Sequence, residues 1–406
     1  MNLETENPKK EFLNKVPQVT LFFWIIKVLC TTVGETFADF LNVNLAFGLT
    51  GTSITMGILL ALALFFQFKA KKYVPFIYWI TVVFISVFGT LVTDNLTDKM
   101  GVRLETSTII FSTLLLATFC IWYTKEKTLS IHSIFTKGRE VFYWLTILFT
   151  FALGTAAGDL MAEGLGLGYL NTGLIVAAII VIFIIAQKLK LNSVLCFWVI
   201  YIMTRPLGAS IGDYLSQPTK FGGLGLGATL TSVIFLLGIL AIIVFFTFTK
   251  RDVIANTLVD EKDSKENEGL VMQSLLTVLV FVIIGVSAYF FRQGQLQKET
   301  VQPPTSKSSP NNTLPATPLG DLSEFKKISQ DTKDLVVSNN IESAKNRITD
   351  LEHAWDIAQA KLKPMDRKKW TEIDDAIDKV LRQLRAVNPV EKDCQSSLDA
   401  LLKVLE

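Results

Sequence analysis

Histidine, cysteine and charge are all scarce in this chain, and each shortage excludes a class of function. Only two histidines occur, His132 and His353, so no cluster of imidazole ligands for a transition metal is expected. The four cysteines include no Cys-x-x-Cys pair, which removes the usual redox motif. Cys30, Cys120 and Cys196 fall in apolar stretches, where a thiol serves as a small apolar side chain, and Cys394 stands alone in a polar region. No Gly-x-x-x-x-Gly-Lys-Ser/Thr loop is present, so ATP is not expected as an energy source. No nucleophile elbow or metal-ligand helix is visible either, so an enzyme is not expected, a membrane-associated one ranking third behind the two functions given below, and no cofactor is implied. Charged residues make up 19% of the chain with a formal net charge of +2, which gives no reason to expect nucleic acid.

What is abundant is apolar sequence, half of all residues. A spanning helix needs about 20 mostly apolar residues. Nine such segments are expected, at about 17–41, 53–68, 74–96, 107–123, 141–163, 172–187, 194–215, 229–249 and 270–291. The short even-numbered segments can begin earlier, in the glycine-containing loops before them. Residues 1–15 are polar and no small-residue cleavage site follows, so the first apolar run is expected to remain as a span. The chain therefore divides into a cytoplasmic segment (1–15), a transmembrane domain (16–250), a charged loop (251–269), a ninth span (270–291), a linker (292–320) and a soluble domain (321–406).

Basic residues sort the loops into two sets. Lys9, Lys10, Lys15, Lys69, Lys71, Lys72, Lys125, Lys127, Lys137, Arg139, Lys188, Lys190, Lys250 and Arg251 fall on one side. The other side holds only Lys99, Arg103 and Lys220. The positive-inside rule then predicts a cytoplasmic N-terminus and, after nine spans, a soluble domain outside the cytoplasm. A multi-pass protein of a bacterial inner membrane is the expectation.

One pattern recurs four times. An aromatic residue and Trp are followed ten residues later by Gly and fifteen later by Asp. The sets are Phe23-Trp24, Gly34, Asp39; Tyr78-Trp79, Gly89, Asp94; Tyr143-Trp144, Gly154, Asp159; and Phe197-Trp198, Gly208, Asp213. Each set occupies an odd-numbered span and an even-numbered span closes the unit, so the repeats are parallel, with all Asp ends on one side. The fold class expected is all-α: four parallel two-helix repeats, a ninth helix and a small soluble bundle.

Trp24, Trp79, Trp144 and Trp198 are expected as interfacial anchors near the cytoplasmic side. Gly34, Gly89, Gly154 and Gly208 should allow close helix packing. The acids carry the functional expectation. Glu35 and Asp39, Asp94 and Asp98, Asp159 and Glu163 are each four apart and share a helix face; the fourth unit has Gln217 at the corresponding place after Asp213. Acids within spans cost several kcal/mol (roughly 2.5 or more) unless they meet water, an ion or a partner. Glu35, Asp39, Asp94, Asp159 and Asp213 are the candidate ion or proton groups, Asp98 and Glu163 secondary ones. Asp98 and Glu163 can equally lie at the outer water interface. If a metal binds, these carboxylates are its candidate ligands. Lys27 shares a helix stripe with Thr31, Glu35 and Asp39 and is expected to pair with a carboxylate of a neighbouring helix. Arg205 precedes Pro206, and Thr204-Arg205-Pro206 is a candidate helix break.

Lys15-Val16-Pro17-Gln18-Val19-Thr20, Phe23-Trp24, Lys27, Thr31-Thr32-Val33-Gly34-Glu35-Thr36 and Ala38-Asp39 resemble the opening of a bacterial family of multi-spanning proteins with a repeat of unknown function. Its members are often called predicted membrane-anchored proteins, and some are labelled regulators of an amylopullulanase. The resemblance covers about residues 15–250 and implies four repeats in a bacterial membrane. It supplies no catalytic residues.

The linker is rich in Pro, Ser, Thr, Gln and Asn and is expected to be extended. Helical patterns at 322–338, 341–361, 364–387 and 390–405 predict an antiparallel bundle, with Trp355 and Trp370 in its core. Two functions remain open. The first is transport or export of a small ion, a hard divalent cation coupled to protons, through the repeated carboxylates. The second is a membrane-anchored sensor or regulator whose residues 321–406 bind a protein partner. The bilayer is the one partner expected in both, and oligomeric state is not legible.

Overall fold

The computed structural model describes residues 14–44, 47–216, 224–253, 269–301, 317–363, 365–386 and 388–406. Gln217, Lys220, the loop 254–268, the linker 302–316 and most of the N-terminal segment lie outside these, as do the side chains of His353, Asp356 and Lys361. Among the described residues the chain is helical and nine helices are long and apolar enough to cross a membrane.

The repeat domain comprises α1 (Leu21–Asp39), α2 (Gly48–Lys69), α3 (Pro75–Asp94), α4 (Leu104–Glu126), α5 (Lys137–Asp159), α6 (Gly168–Lys188), α7 (Ser193–Ser216) and α8 (Gly227–Thr249). Each odd helix starts on a recognisable device. Thr20 caps α1, Thr136 caps α5, Pro75 opens α3, and the Asn192 Oδ1 accepts from the backbone N–H of Val194 and Leu195 to start α7. Three even helices start directly on or after a glycine with positive φ: Gly48 at 65°, Gly168 at 72° and Gly227 at 74°. These glycine starts explain why the even spans read short in sequence: α2 and α6 begin in Gly-, Thr- and Asn-containing turns that dilute hydropathy.

The odd helices form the inside of the domain. In their most apolar stretches 56–72% of residues are buried, against 11–28% for the even helices. Exposed Ile54, Ile58, Leu62, Leu174 and Leu237 make the outer face, which suits a lipid environment. A ninth helix, α9 (Leu270–Val301), lies at the periphery, touching the rest through a Phe183–Phe281 ring stack at 6.2 Å and the Gln273 Oε1, which accepts from the Asn192 N–H at 2.7 Å. It continues ten residues past the expected span end, so residues 292–301 are helix and not linker. The run Gln-Leu-Gln-Lys-Glu supports this extension, since these residues lose little freedom in a helix and no proline lies between Leu270 and Val301.

The soluble bundle is α10 (Ser323–Val337), α11 (Ile341–Leu362), α12 (Arg367–Leu384) and α13 (Glu391–Val404). Trp355 and Trp370 are buried in its core as expected, stacked at 5.7 Å with a 13° angle, and Trp355 Nε1 donates to Asp374 at 3.0 Å.

Candidate functional site

Four glycines close the odd helices into a ring. A Cβ on Gly34 would collide with Ser86 on α3, and one on Gly89 would come within 2.8 Å of the Phe151 Cβ on α5. A Cβ on Gly154 would come within 2.6 Å of the Arg205 Cβ on α7, and one on Gly208 would collide with Thr31 on α1. Each motif glycine thus receives the residue three before the motif glycine of the next unit, in the order α1, α3, α5, α7 and back to α1. This cyclic register realises the close packing expected for these positions. Side chains add hydrogen bonds across the seams. Thr31 Oγ1 donates to the Thr204 carbonyl at 3.0 Å, Thr32 Oγ1 to the Gly208 carbonyl at 3.0 Å, and Thr93 Oγ1 to the Ala152 carbonyl at 3.1 Å.

Arg205 fills the middle of the ring and is only 1% exposed. Its guanidinium reaches every other motif helix. Nε donates to Thr155 Oγ1 on α5 at 3.1 Å, Nη1 to the Thr31 carbonyl on α1 at 3.3 Å, and Nη2 to both Glu35 on α1 and Thr90 on α3. Glu35, Thr90 and Thr155 each follow their motif glycine by one residue; the fourth unit has Ala209 there. One arginine therefore completes a ring of three polar side chains, and its five fixed donors explain why lysine would not serve. The expected break at Thr204-Arg205-Pro206 does not occur: α7 runs unbroken through Pro206. Pro206 is held against Gly158, where a Cβ would lie 3.1 Å from the proline Cβ, and loss of one backbone bond does not break so well-packed a helix.

Lys27 corrects a second expectation. It is buried, but its Nζ lies 3.7 Å from the Phe151 ring centroid and 4.1 Å from that of Tyr201, and no ion pair to it occurs among the described residues. Glu35 is engaged by Arg205, and the Lys27 Nζ lies against aromatic faces instead. Beyond Lys27 the ring is closed by an aromatic layer. Trp79, Trp144 and Trp198 are buried here, with Phe23, Tyr78 and Tyr143, and the Tyr78 and Tyr143 hydroxyls bond to each other. The expected lipid-interface anchors are therefore inward-facing core residues; only Trp24 keeps partial exposure. Their motif position places them at the interface level, but the helix face points at neighbouring units.

On the other side of Arg205 the motif aspartates gather. Asp39 is exposed and Asp94, Asp159 and Asp213 are partly so, although other helices surround them. Asp94, Asp159 and Asp213 each feel the charge of Glu35, and Asp213 feels both Asp39 and Asp159. Those pairs cross the ring from α1 to α5 and from α5 to α7, so the acids lie close enough across the ring to interact. The carboxylates come together as a field, but among the described residues no group of three His, Cys, Asp or Glu is arranged to hold a metal ion. A further shared feature escaped the sequence. Directly after Asp39, Asp94 and Asp159 the backbone widens into a π-helical turn, at Phe40–Asn44, Asn95–Lys99 and Leu160–Gly164. Such turns are rare and gather at functional sites.

The soluble bundle docks on this acidic end. Lys363 Nζ binds the Asp98 Oδ1 at 3.0 Å, α11 touches the π turn of the third unit, and α12 touches that of the first. The bundle brings acids of its own. Burial, then Asp378 and Asp98, push the Asp374 carboxyl well above the usual range, with Lys363 opposing. Burial pushes Asp378 up to about 6, Glu352 and Asp375 adding to this and Arg382 opposing. Acids raised in the folded state bind protons more tightly there, so they stabilise at low pH and that gain is lost as pH climbs through about 6. The thermal midpoint of the bundle is expected to be higher at pH 5 than at pH 7.5; an equal or reversed order would show that these acids are not buried together.

Fold and site define a polytopic helical membrane protein built from a fourfold repeat around a charged axis. The chain matches the family described as Repeat of Unknown Function (DUF347) four times, over residues 22–73, 77–128, 142–190 and 196–252. Those matches cover more than half of the sequence, and the chain belongs to this family. No curated protein and no solved structure matches it.

Proposed function

We propose that this protein is a transporter that moves a small cation across a bacterial plasma membrane in exchange for protons, along the axis of the α1, α3, α5, α7 ring. The observation that carries the reading is Arg205, buried and bound to three other motif helices, beneath exposed Asp39 and partly exposed Asp94, Asp159 and Asp213. An arginine so placed is an internal counter-ion: it holds Glu35 when no cargo is present and releases it when a cation or proton takes its role. The aspartates concentrate cations at the mouth. A hard divalent ion would arrive with much of its water shell, since the acids are spread around the axis. The basic loops favour a cytoplasmic N-terminal face, with the bundle outside.

The docking of the bundle over the mouth favours a second, regulatory reading, in which the membrane domain reports what the bundle binds. Flux in proteoliposomes separates the two. The unmodified protein should move at least one of a panel of monovalent, divalent and ammonium cations, and Glu35→Gln and Asp94→Asn should each lower that flux by at least about tenfold, one lost charge contact being worth ~1.4 kcal/mol or more. No flux across the whole panel would overturn the transport reading and leave the regulatory one.

A further inference from the structure

Lys363 occupies an unusual place for a lysine. It lies in the turn between α11 and α12 with a side chain only 6% exposed, although lysines almost always keep their ammonium in water. Its Nζ is 3.0 Å from Asp98 Oδ1 and 4.2 Å from the Trp370 ring centroid. Asp98 comes from the π turn of the second unit, and Glu163, from that of the third, adds its charge. A carboxylate paired with the face of a tryptophan is a chemical signature for holding an alkylammonium group. The ammonium found there is the chain's own. Just below, Asp94 and Asp159 continue the acidic path towards Glu35 and Arg205.

We propose that Asp98, Glu163 and Trp370 form an outer subsite for a primary ammonium group, and that Lys363 is its tethered occupant, which an incoming amine must displace. The inference rests on the transport reading and narrows its cargo to cations that carry a primary amine. Its geometry makes the subsite composite: the carboxylates belong to the repeat domain, the aromatic face to the soluble bundle. Burial works against the Lys363 ammonium, but Asp98 and Glu163 outweigh it and hold its proton on. The occupant is thus cationic throughout the physiological range, as a competitor of an amine should be.

Chemical rescue in the purified full-length protein tests this without any flux measurement. Lys363→Ala empties the subsite, and n-propylammonium chloride restores the missing three carbons and charge. The expected result is a lowered thermal midpoint in Lys363→Ala that n-propylammonium raises in a saturable way, while sodium chloride at equal ionic strength does not. Adding Asp98→Asn to Lys363→Ala should weaken the apparent affinity by at least tenfold, and the unmodified protein, whose subsite is filled, should respond at least tenfold more weakly. Should Lys363→Ala fail to fold, Lys363→Met keeps the stem and removes the charge; methylammonium chloride should raise its thermal midpoint saturably where sodium chloride does not. Rescue equal to that by sodium, or undiminished by Asp98→Asn, would overturn the subsite. Rescue that holds while no cation is ever transported would sink the transport reading alone.

Discussion

Replacing Arg205 by leucine is expected to destabilise the membrane domain by roughly 3–5 kcal/mol, the usual cost of removing one partner from a buried ion pair. The cost comes from what is left behind. Glu35 loses its partner beside a ring interior, and the hydroxyls of Thr90 and Thr155 lose the donor that joins α3 and α5 to α7. Interhelical hydrogen bonds between neutral groups in membranes are worth less, about 0.6 kcal/mol on average, so the orphaned carboxylate dominates. The double substitution Arg205→Leu with Glu35→Leu should therefore recover most of the loss. Thermal unfolding of the purified protein reads both: a lowered midpoint in the single variant and a midpoint near the original in the double. Transport should vanish in both, which separates the part the pair plays in folding from its part in function. If the double variant were less stable than the single, the pair would be no counter-ion arrangement but an ordinary packing element.

Gly208→Ala is the second large effect. A Cβ there would overlap Thr31 Oγ1 and lie 2.9 Å from the backbone nitrogen of Thr32, which has no rotamer by which to move away. Overpacking of this kind costs about 1–3 kcal/mol. It would also pry apart the seam held by Thr31 and Thr32, whose hydroxyls donate to the carbonyls of Thr204 and Gly208. Gly285→Ala on α9 is the contrast, since nothing lies within 4 Å of its Cβ position. There the exchange should be neutral or stabilising by up to ~1 kcal/mol, from helix propensity alone. A similar response at the two sites would contradict the closed ring.

Much of this architecture was legible because hydropathy and register are local. All nine spans, the four units and the core tryptophans Trp355 and Trp370 follow from composition and spacing, and the structure agrees. The glycine role was legible too, but not its partner. A repeat aligned on itself reveals the columns Thr31, Ser86, Phe151, Arg205 and Glu35, Thr90, Thr155, Ala209; only the ring shows that each glycine receives the first column of the next unit and that Arg205 collects the second. Lys27 was misread for a related reason. Its partners, Phe151 and Tyr201, come from two other helices, and Glu35 on its own helix is already engaged by Arg205. The Trp residues were assigned to lipid because aromatic belts are common, whereas here a ring of helices offers an interior at the same depth. The π turns had no signal at all: Phe-Leu-Asn-Val-Asn, Asn-Leu-Thr-Asp-Lys and Leu-Met-Ala-Glu-Gly share little beyond following an Asp.

The central claim is that the four motif aspartates face one aqueous space on the ring axis. Cysteine labelling tests it most directly. In a background with Cys30, Cys120, Cys196 and Cys394 replaced, single cysteines at 39, 94, 159 and 213 are exposed to a small water-soluble cationic thiol reagent, beside controls at the outward-facing Ile58 and Leu174. The account predicts that all four motif positions react, that the two outer positions do not, and that n-propylammonium slows the reaction. Silence at the four positions, or labelling no faster than at Ile58 and Leu174, would contradict it.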